Sequence, residues 1–223
     1  DDDYVRSFST LEHDDSKSQS VDPNELSRSL SVPSTIKFNN VDLQFNPLLG
    51  YILKDISFDI SSKSKIAFCG PSGSGKSTIL KIIAGLIHQS NGQYLINDKT
   101  WVQNEEHFLR SFFAYVPQYS HIFNGTMREN LTLYNDDVYS DEDILKAAEV
   151  TTLLPLIQSN PGGLDTHLDD GGNNISGGQR QLFQLTRALL RKPQFLILDE
   201  ATASLDPATE TKVLNNLWDM DIG

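Results

Sequence analysis

Nine consecutive residues, Gly70-Pro71-Ser72-Gly73-Ser74-Gly75-Lys76-Ser77-Thr78, constrain this chain more than any other stretch. They fit the pattern G-x-x-x-x-G-K-[ST], and their flanks supply the context that the pattern requires. Before them, Lys65-Ile66-Ala67-Phe68-Cys69 is a short apolar run that reads as a strand. After them, Ile79, Leu80, Ile82, Ile83, Leu86 and Ile87 recur at helical spacing. Glycines let backbone N–H groups curl around an anion without Cβ clashes, and the start of the following helix adds its dipole. Lys76 can reach the β- and γ-phosphates of a nucleotide. The Ser77 hydroxyl is placed to ligate Mg²⁺, which prefers oxygen ligands and the company of phosphate.

A phosphate-binding loop of this kind needs a carboxylate for its magnesium on another strand. Phe195-Leu196-Ile197-Leu198-Asp199-Glu200 supplies one, as four apolar residues of a buried parallel strand ending in two acids. Ligands of open α/β sheets sit beyond the carboxyl ends of the strands, where Asp199 and Glu200 would lie. Asp199 is assigned to the metal, directly or through water, and Glu200 to the attacking water as general base.

Elsewhere the pattern is mixed. Ile36-Lys37-Phe38, Val41-Asp42-Leu43-Gln44-Phe45 and the set Ile56, Phe58, Ile60 alternate apolar and polar residues, the strand period, before Ser61-Ser62-Lys63-Ser64 turns the chain. Leu145, Ala148, Leu153, Leu154 and Ile157 mark helices between 140 and 158. Asn174-Ile175-Ser176-Gly177-Gly178-Gln179-Arg180-Gln181 precedes a further helix with Leu182, Leu185, Leu189 and Leu190 on its apolar face. Ser176 can cap that helix, and the two glycines let backbone approach a phosphate.

With that segment the sequence resembles the nucleotide-binding domain of ABC (ATP-binding cassette) transporters, over roughly residues 36 to 220 and with the motifs in the family's order. The resemblance implies an α/β fold. It has a P-loop NTPase-like core with a parallel sheet, an N-terminal antiparallel β subdomain and an α-helical signature subdomain at about 120–185. It makes Ser176, Gly177, Gly178 and Gln179 the signature motif, with Ile175 where the family usually has Leu. Phe45 looks like the aromatic platform for adenine, where Tyr is more usual, and Tyr51 is a poorer candidate. Gln118, in Tyr115-Val116-Pro117-Gln118, resembles the glutamine that contacts magnesium and the attacking water. Ser204-Leu205-Asp206 is similar to the D-loop. The implied cofactors are ATP and Mg²⁺, with Lys76, Gln118 and Glu200 as the catalytic set and Ser77, Gln118 and Asp199 on the metal.

The resemblance also implies partners. Two copies, or two related domains, face head to tail, with ATP between the P-loop of one and Ser176-Gly177-Gly178 of the other. Transmembrane domains, on the same or a separate chain, receive the motion at the cytoplasmic or organelle-matrix face of a membrane. Asp199-Glu200-Ala201-Thr202 and Gly125-Thr126-Met127-Arg128-Glu129-Asn130-Leu131 resemble the exporter version, and Asp170 falls at an acidic cross-talk position. The DNA-repair relatives of this cassette carry a long coiled coil between P-loop and signature, and none fits between Lys76 and Ser176. The family's switch histidine follows the D-loop. All five histidines here (His13, His88, His107, His121, His167) precede it, so a shortened chain that binds ATP·Mg²⁺ but hydrolyses it poorly is the expectation. The alternative is a nucleotide-gated regulatory or assembly module.

Composition sets the outer limits. The 223 residues carry 18 Lys+Arg against 30 Asp+Glu, a formal charge of −12, which argues against an electrostatically driven nucleic-acid binder. The longest apolar candidate, Ile79 to Ile87, is too short for a membrane span and is interrupted by Lys81. A single cysteine, Cys69, excludes an internal disulfide, and it is expected to be a small buried residue. Trp101 and Trp218 are expected in the core or at a domain interface. Residues 1–35 are acidic, rich in serine and poor in large apolar side chains, and read as a disordered linker or tail. Residues 36–223 form the ATP-binding domain on this reading.

Overall fold

The computed structural model describes residues 33–100 and 111–220, apart from Pro47 and Leu49. The linker reading falls, up to Val32, outside the described residues, and so does Trp101. The first strand, β1 (Thr35–Leu43), buries Ile36, Phe38, Val41 and Leu43 on one face, as its alternation predicts. It pairs antiparallel with β2 (Leu53–Ser61) on one side and with β3 (Asn91–Ile96) on the other, and β3 pairs with the short β4 (Lys99–Thr100). Asn40 adopts a left-handed φ of 48° where the β1 ladder slips between Phe38 and Val41. A Cβ on Gly92 would lie 2.2 Å from the Asn40 carbonyl oxygen, so only glycine lets β3 pass this bulge.

Helix α1 (Lys76–Ile83) buries Ile79, Ile82 and Ile83 in the core that the antiparallel sheet also faces. The Tyr94 hydroxyl of β3 donates to the Ile83 carbonyl at 2.8 Å, and Phe38 stacks on Phe58 at 4.5 Å. Strands β5 (Phe113–Val116) and β8 (Phe195–Leu198) run parallel in register. Their two faces serve different cores, as expected of parallel strands covered on both sides. Phe113, Phe195 and Ile197 join α1 in one core, while Ala114 and Val116 face the other.

That second core is helical. It gathers residues from α2 (Met127–Thr132), α3 (Asp141–Val150), α4 (Leu154–Ser159), α5 (Gly177–Leu190) and α6 (Pro207–Trp218). Two-residue strands β6 (Gly125–Thr126) and β7 (His167–Leu168) pair antiparallel beside α2.

Three expectations change. Lys65–Cys69 carries no strand ladder, and Ile66 and Cys69 are exposed rather than buried. Apolar composition marks a segment able to pair, but pairing needs a neighbour. Here Ile66–Phe68 and Phe195–Leu198 both line a cavity of about 420 Å³, with no ladder between them. Trp218 stands at the rim of that cavity, 63% exposed, and is not a core residue.

Candidate functional site

Tight local geometry builds the loop between Cys69 and α1. Gly73 and Gly75 have left-handed φ values of 80° and 92°, which non-glycine residues rarely adopt. A Cβ on Gly75 would sit 2.6 Å from the Leu53 methyl of β2, so the loop is wedged against the antiparallel sheet. Gly75 precedes α1 and no side chain caps that helix. The Lys76 ammonium donates to the Gly70 and Pro71 carbonyls, both at 2.9 Å, and thus lies folded over the mouth of its own loop.

The acids arrive from β8. Because Val116 aligns with Leu198, the residues that follow both strands emerge at one end of the sheet, and the Asp199 N–H donates to the Val116 carbonyl at 3.0 Å. Asp199 is 6% exposed, and the Ser77 hydroxyl donates to its Oδ1 at 2.6 Å. Glu200 is exposed and turns through a left-handed φ of 53°, a conformation that costs about 1–3 kcal/mol in a non-glycine residue. Its Oε2 accepts a hydrogen bond from the Gln118 amide at 2.7 Å. Lys76 and Ser77 from the loop, Gln118 from the end of β5, and Asp199 and Glu200 from the end of β8 therefore form one neighbourhood.

This donor set fits magnesium. Ser77 and Asp199 offer oxygens to a hard cation that typically takes one or two carboxylates and completes its shell with phosphate and water. No cluster of three or more metal-ligating His, Cys, Asp or Glu occurs among the described residues, so the phosphates would have to supply the rest.

The signature residues occupy a different place. Ser176 caps α5 by accepting the Gln179 N–H at 3.1 Å, and the Gln179 side chain accepts the Ser176 N–H at 2.8 Å, which closes a capping box. Among the described residues no hydrogen bond joins Ser176–Gln179 to the loop at Gly70–Thr78. The D-loop, by contrast, is tied to the signature helix: the Ser204 N–H donates to the Gln181 side chain at 2.8 Å. Asp206 caps α6 by accepting the N–H groups of Ala208 and Thr209. Phe45 lies in the loop between β1 and β2, two residues beyond the Leu43–Leu53 pair, and is 67% exposed. Leu53 is the residue that abuts Gly75, so this loop lies on the same side of the molecule as the Gly70–Thr78 loop. Tyr51 is also exposed, with the Lys54 ammonium 5.9 Å from its ring centroid.

Sequence reasoning missed three residues. Tyr115 donates its hydroxyl to Asp199 Oδ2 at 2.7 Å. Gln181 is buried and holds the D-loop. Arg187 of α5 is buried, which lowers its guanidinium to about 10. It donates to the carbonyls of Asn130 and His121 and to the Asn130 side chain, joining the segment after Gln118 to the signature helix. Of the three, only Arg187 left a signal, as a cation on the apolar side of α5.

The comparisons with known proteins follow the same lines. The family model described as "ABC transporter" matches residues 53–203. The lactococcin-G-processing and transport ATP-binding protein LagD of Lactococcus lactis is 36% identical over 203 residues, covering 89% of this chain and 29% of that protein. The transport/processing ATP-binding protein ComA of Streptococcus pneumoniae is 41% identical over 170 residues, 76% of this chain and 24% of its own length. Human ATP-binding cassette sub-family C member 3 is 36% identical over 178 residues, 80% of this chain and 12% of that protein. A bacterial Atm1-family ABC exporter, solved with ATP bound, superposes with a TM-score of 0.77 at 32% identity, over 84% of this chain and 33% of the exporter. The chain thus spans a third or less of the length of these four proteins.

Proposed function

Because the chain belongs to the ABC transporter family, we propose that it is the ATP-binding and ATP-hydrolysing domain of an exporter. In this reading it works at the cytoplasmic or matrix face of a membrane beside transmembrane domains. The observation that carries the proposal is the convergence of Lys76, Ser77, Gln118, Asp199 and Glu200 at one end of the β5–β8 pair. Lys76 exchanges its loop carbonyls for phosphate oxygens, and the α1 N-terminus offers N–H groups and a dipole to the same anion. Phe45 stacks on the adenine. Magnesium, when bound, would supply positive charge to offset the charge that develops on the phosphates. Ser77 and Asp199 would hold it, with Gln118 alongside. Glu200 takes the proton of the attacking water, and the Gln118 amide orients the Glu200 carboxylate for that task.

The separation of Ser176–Gln179 from the chain's own loop supports a second copy, or a related domain, that supplies the signature in trans. Such a pair closes on ATP and opens after hydrolysis, and the difference in ATP affinity between the two states becomes motion. Relatives named for processing and transport, and a structural neighbour that is an ABC exporter, favour the exporter reading over an importer.

Glu200→Gln tests the core of this. The substitution keeps the size and the partner of Glu200 but removes the base. Residual hydrolysis should fall by at least about 100-fold, within the range of a lost general base, while ATP drives a dimer visible by gel filtration or light scattering. Turnover that survives the substitution would refute the role of Glu200, and an ATP-insensitive monomer in both forms would refute the head-to-tail pair.

A further inference from the structure

We propose that Tyr115 is a positioning residue for the metal side of the site: its hydroxyl fixes the carboxylate plane of Asp199, so that Oδ1 is presented to Ser77 and to the cation. The inference rests on the reading of Asp199 as the metal-side carboxylate and extends it to Tyr115, to which the resemblance assigns no role of its own. Tyr115 aligns with Ile197 in the parallel ladder, so its side chain leaves the sheet on the face shared by Ile197 and, two residues on, Asp199. The hydroxyl donates to Asp199 Oδ2 at 2.7 Å while Ser77 donates to Oδ1 at 2.6 Å.

The two bonds act differently. A carboxylate turns about its Cβ–Cγ bond, and one donor on one oxygen leaves that rotation partly free. Two donors on two oxygens, approaching from β5 and from α1, leave it a single orientation. The Ser77 hydroxyl is itself a ligand candidate and must adjust when a cation arrives. Tyr115 has no such second task, and it hangs from a strand locked to β8. Partners that orient a ligand in this way commonly control metal affinity by 10–100-fold.

Tyr115→Phe deletes the hydroxyl and keeps the ring. ATP binding to the 223-residue chain is measured twice, with Mg²⁺ and with EDTA, and the ratio of the two dissociation constants gives the gain due to the metal. The gain should shrink about tenfold or more in the variant, while metal-free ATP binds as it does to the wild type. An unchanged ratio overturns the proposal. So does an equal loss with and without Mg²⁺, which is the mark of a merely structural role. In an Asp199→Asn background the Tyr115→Phe change should add nothing, and an undiminished effect there overturns it as well. If Asp199→Asn alone leaves the gain intact, the metal-side reading of Asp199 fails together with the proposal. If it abolishes the gain and Tyr115→Phe does not, the proposal fails alone. Should phenylalanine unsettle the fold, ¹³C-tyrosine NMR of the wild type decides: the Tyr115 ring resonance moves when Mg²⁺ joins the ATP complex, and a static resonance overturns the proposal.

Discussion

Helices α1 and α5 both begin with glycine-rich sequence, yet their N-termini are finished in opposite ways. Gly75 ahead of α1 is left-handed and offers no side chain, so the first turn is uncapped and Lys76 leans back over the loop. Ser176 ahead of α5 caps its helix, and Gln179 returns the bond. An uncapped helix start keeps its N–H donors for an outside anion, whereas a capping box satisfies two donors internally and fixes the turn. The first arrangement is shaped to wrap a ligand. The second is shaped to hold still and be pressed against one. This fits the proposed pair, in which one chain supplies the wrapping loop and another supplies the lid.

The glycines offer the sharpest way to break that contrast. Alanine at Gly75 would need a left-handed φ of 92° and would place its Cβ 2.6 Å from Leu53. Strain and overlap together predict a loss of about 2–4 kcal/mol in urea unfolding. Alanine at Gly177 meets nothing nearer than 3.7 Å in the chain, and alanine favours a helix by up to about 1 kcal/mol over glycine. Gly177→Ala should therefore leave stability level or slightly raised. If Gly177 is required at all, the requirement comes from what docks on it, and the variant should lose the ATP-dependent dimer while keeping its melting temperature. Equal destabilisation at both positions would erase the distinction between the two helix starts.

Ser176→Ala probes the cap itself. Loss of the hydroxyl acceptor should cost about 1 kcal/mol, read as a lower urea midpoint with an unchanged slope. Nucleotide affinity of the isolated chain should stay within about twofold, because among the described residues Ser176 makes no bond to the loop proposed to hold ATP. A large drop in monomer ATP affinity would place Ser176 in its own chain's site and contradict the division of labour.

Legibility in the sequence tracked the distance over which a residue finds its partners. The loop from Gly70 to Thr78 and the pair Asp199-Glu200 are set by residues within a few positions, and the structure brings them to one place. β1, β2 and α1 followed from periodicity for the same reason. Lys65–Cys69 shows the limit: its composition is that of a strand, but a ladder is a property of two segments, and this one has none among the described residues. The exposure of Cys69 follows from that. Tyr115 meets Asp199 across 84 positions, Arg187 meets Asn130 across 57 and Gln181 meets Ser204 across 23. None of these pairings leaves a local pattern. The capping box at Thr126–Glu129 does leave one, and it starts α2 in the stretch that resembles exporters.

A third helix start gives the smallest effect and the finest test of what a cap does. Asp206 caps α6, and the Thr209 hydroxyl with the N–H groups of Thr209 and Ala208 holds its carboxyl below the ordinary range. A group whose folded pKa is depressed contributes stability in full above its unfolded value, about 3.9 for aspartate. That contribution disappears as pH falls through the folded value. Asp206→Asn keeps a side-chain oxygen for the cap, and Asn and Asp cap almost equally well, so stability at pH 7 should barely change. Acid unfolding below about pH 4 should become slightly shallower, because one titrating group is gone. A variant that is markedly weaker at neutral pH and draws level with the wild type only in acid would show that the charge at Asp206 matters through the helix dipole beyond its hydrogen bonds.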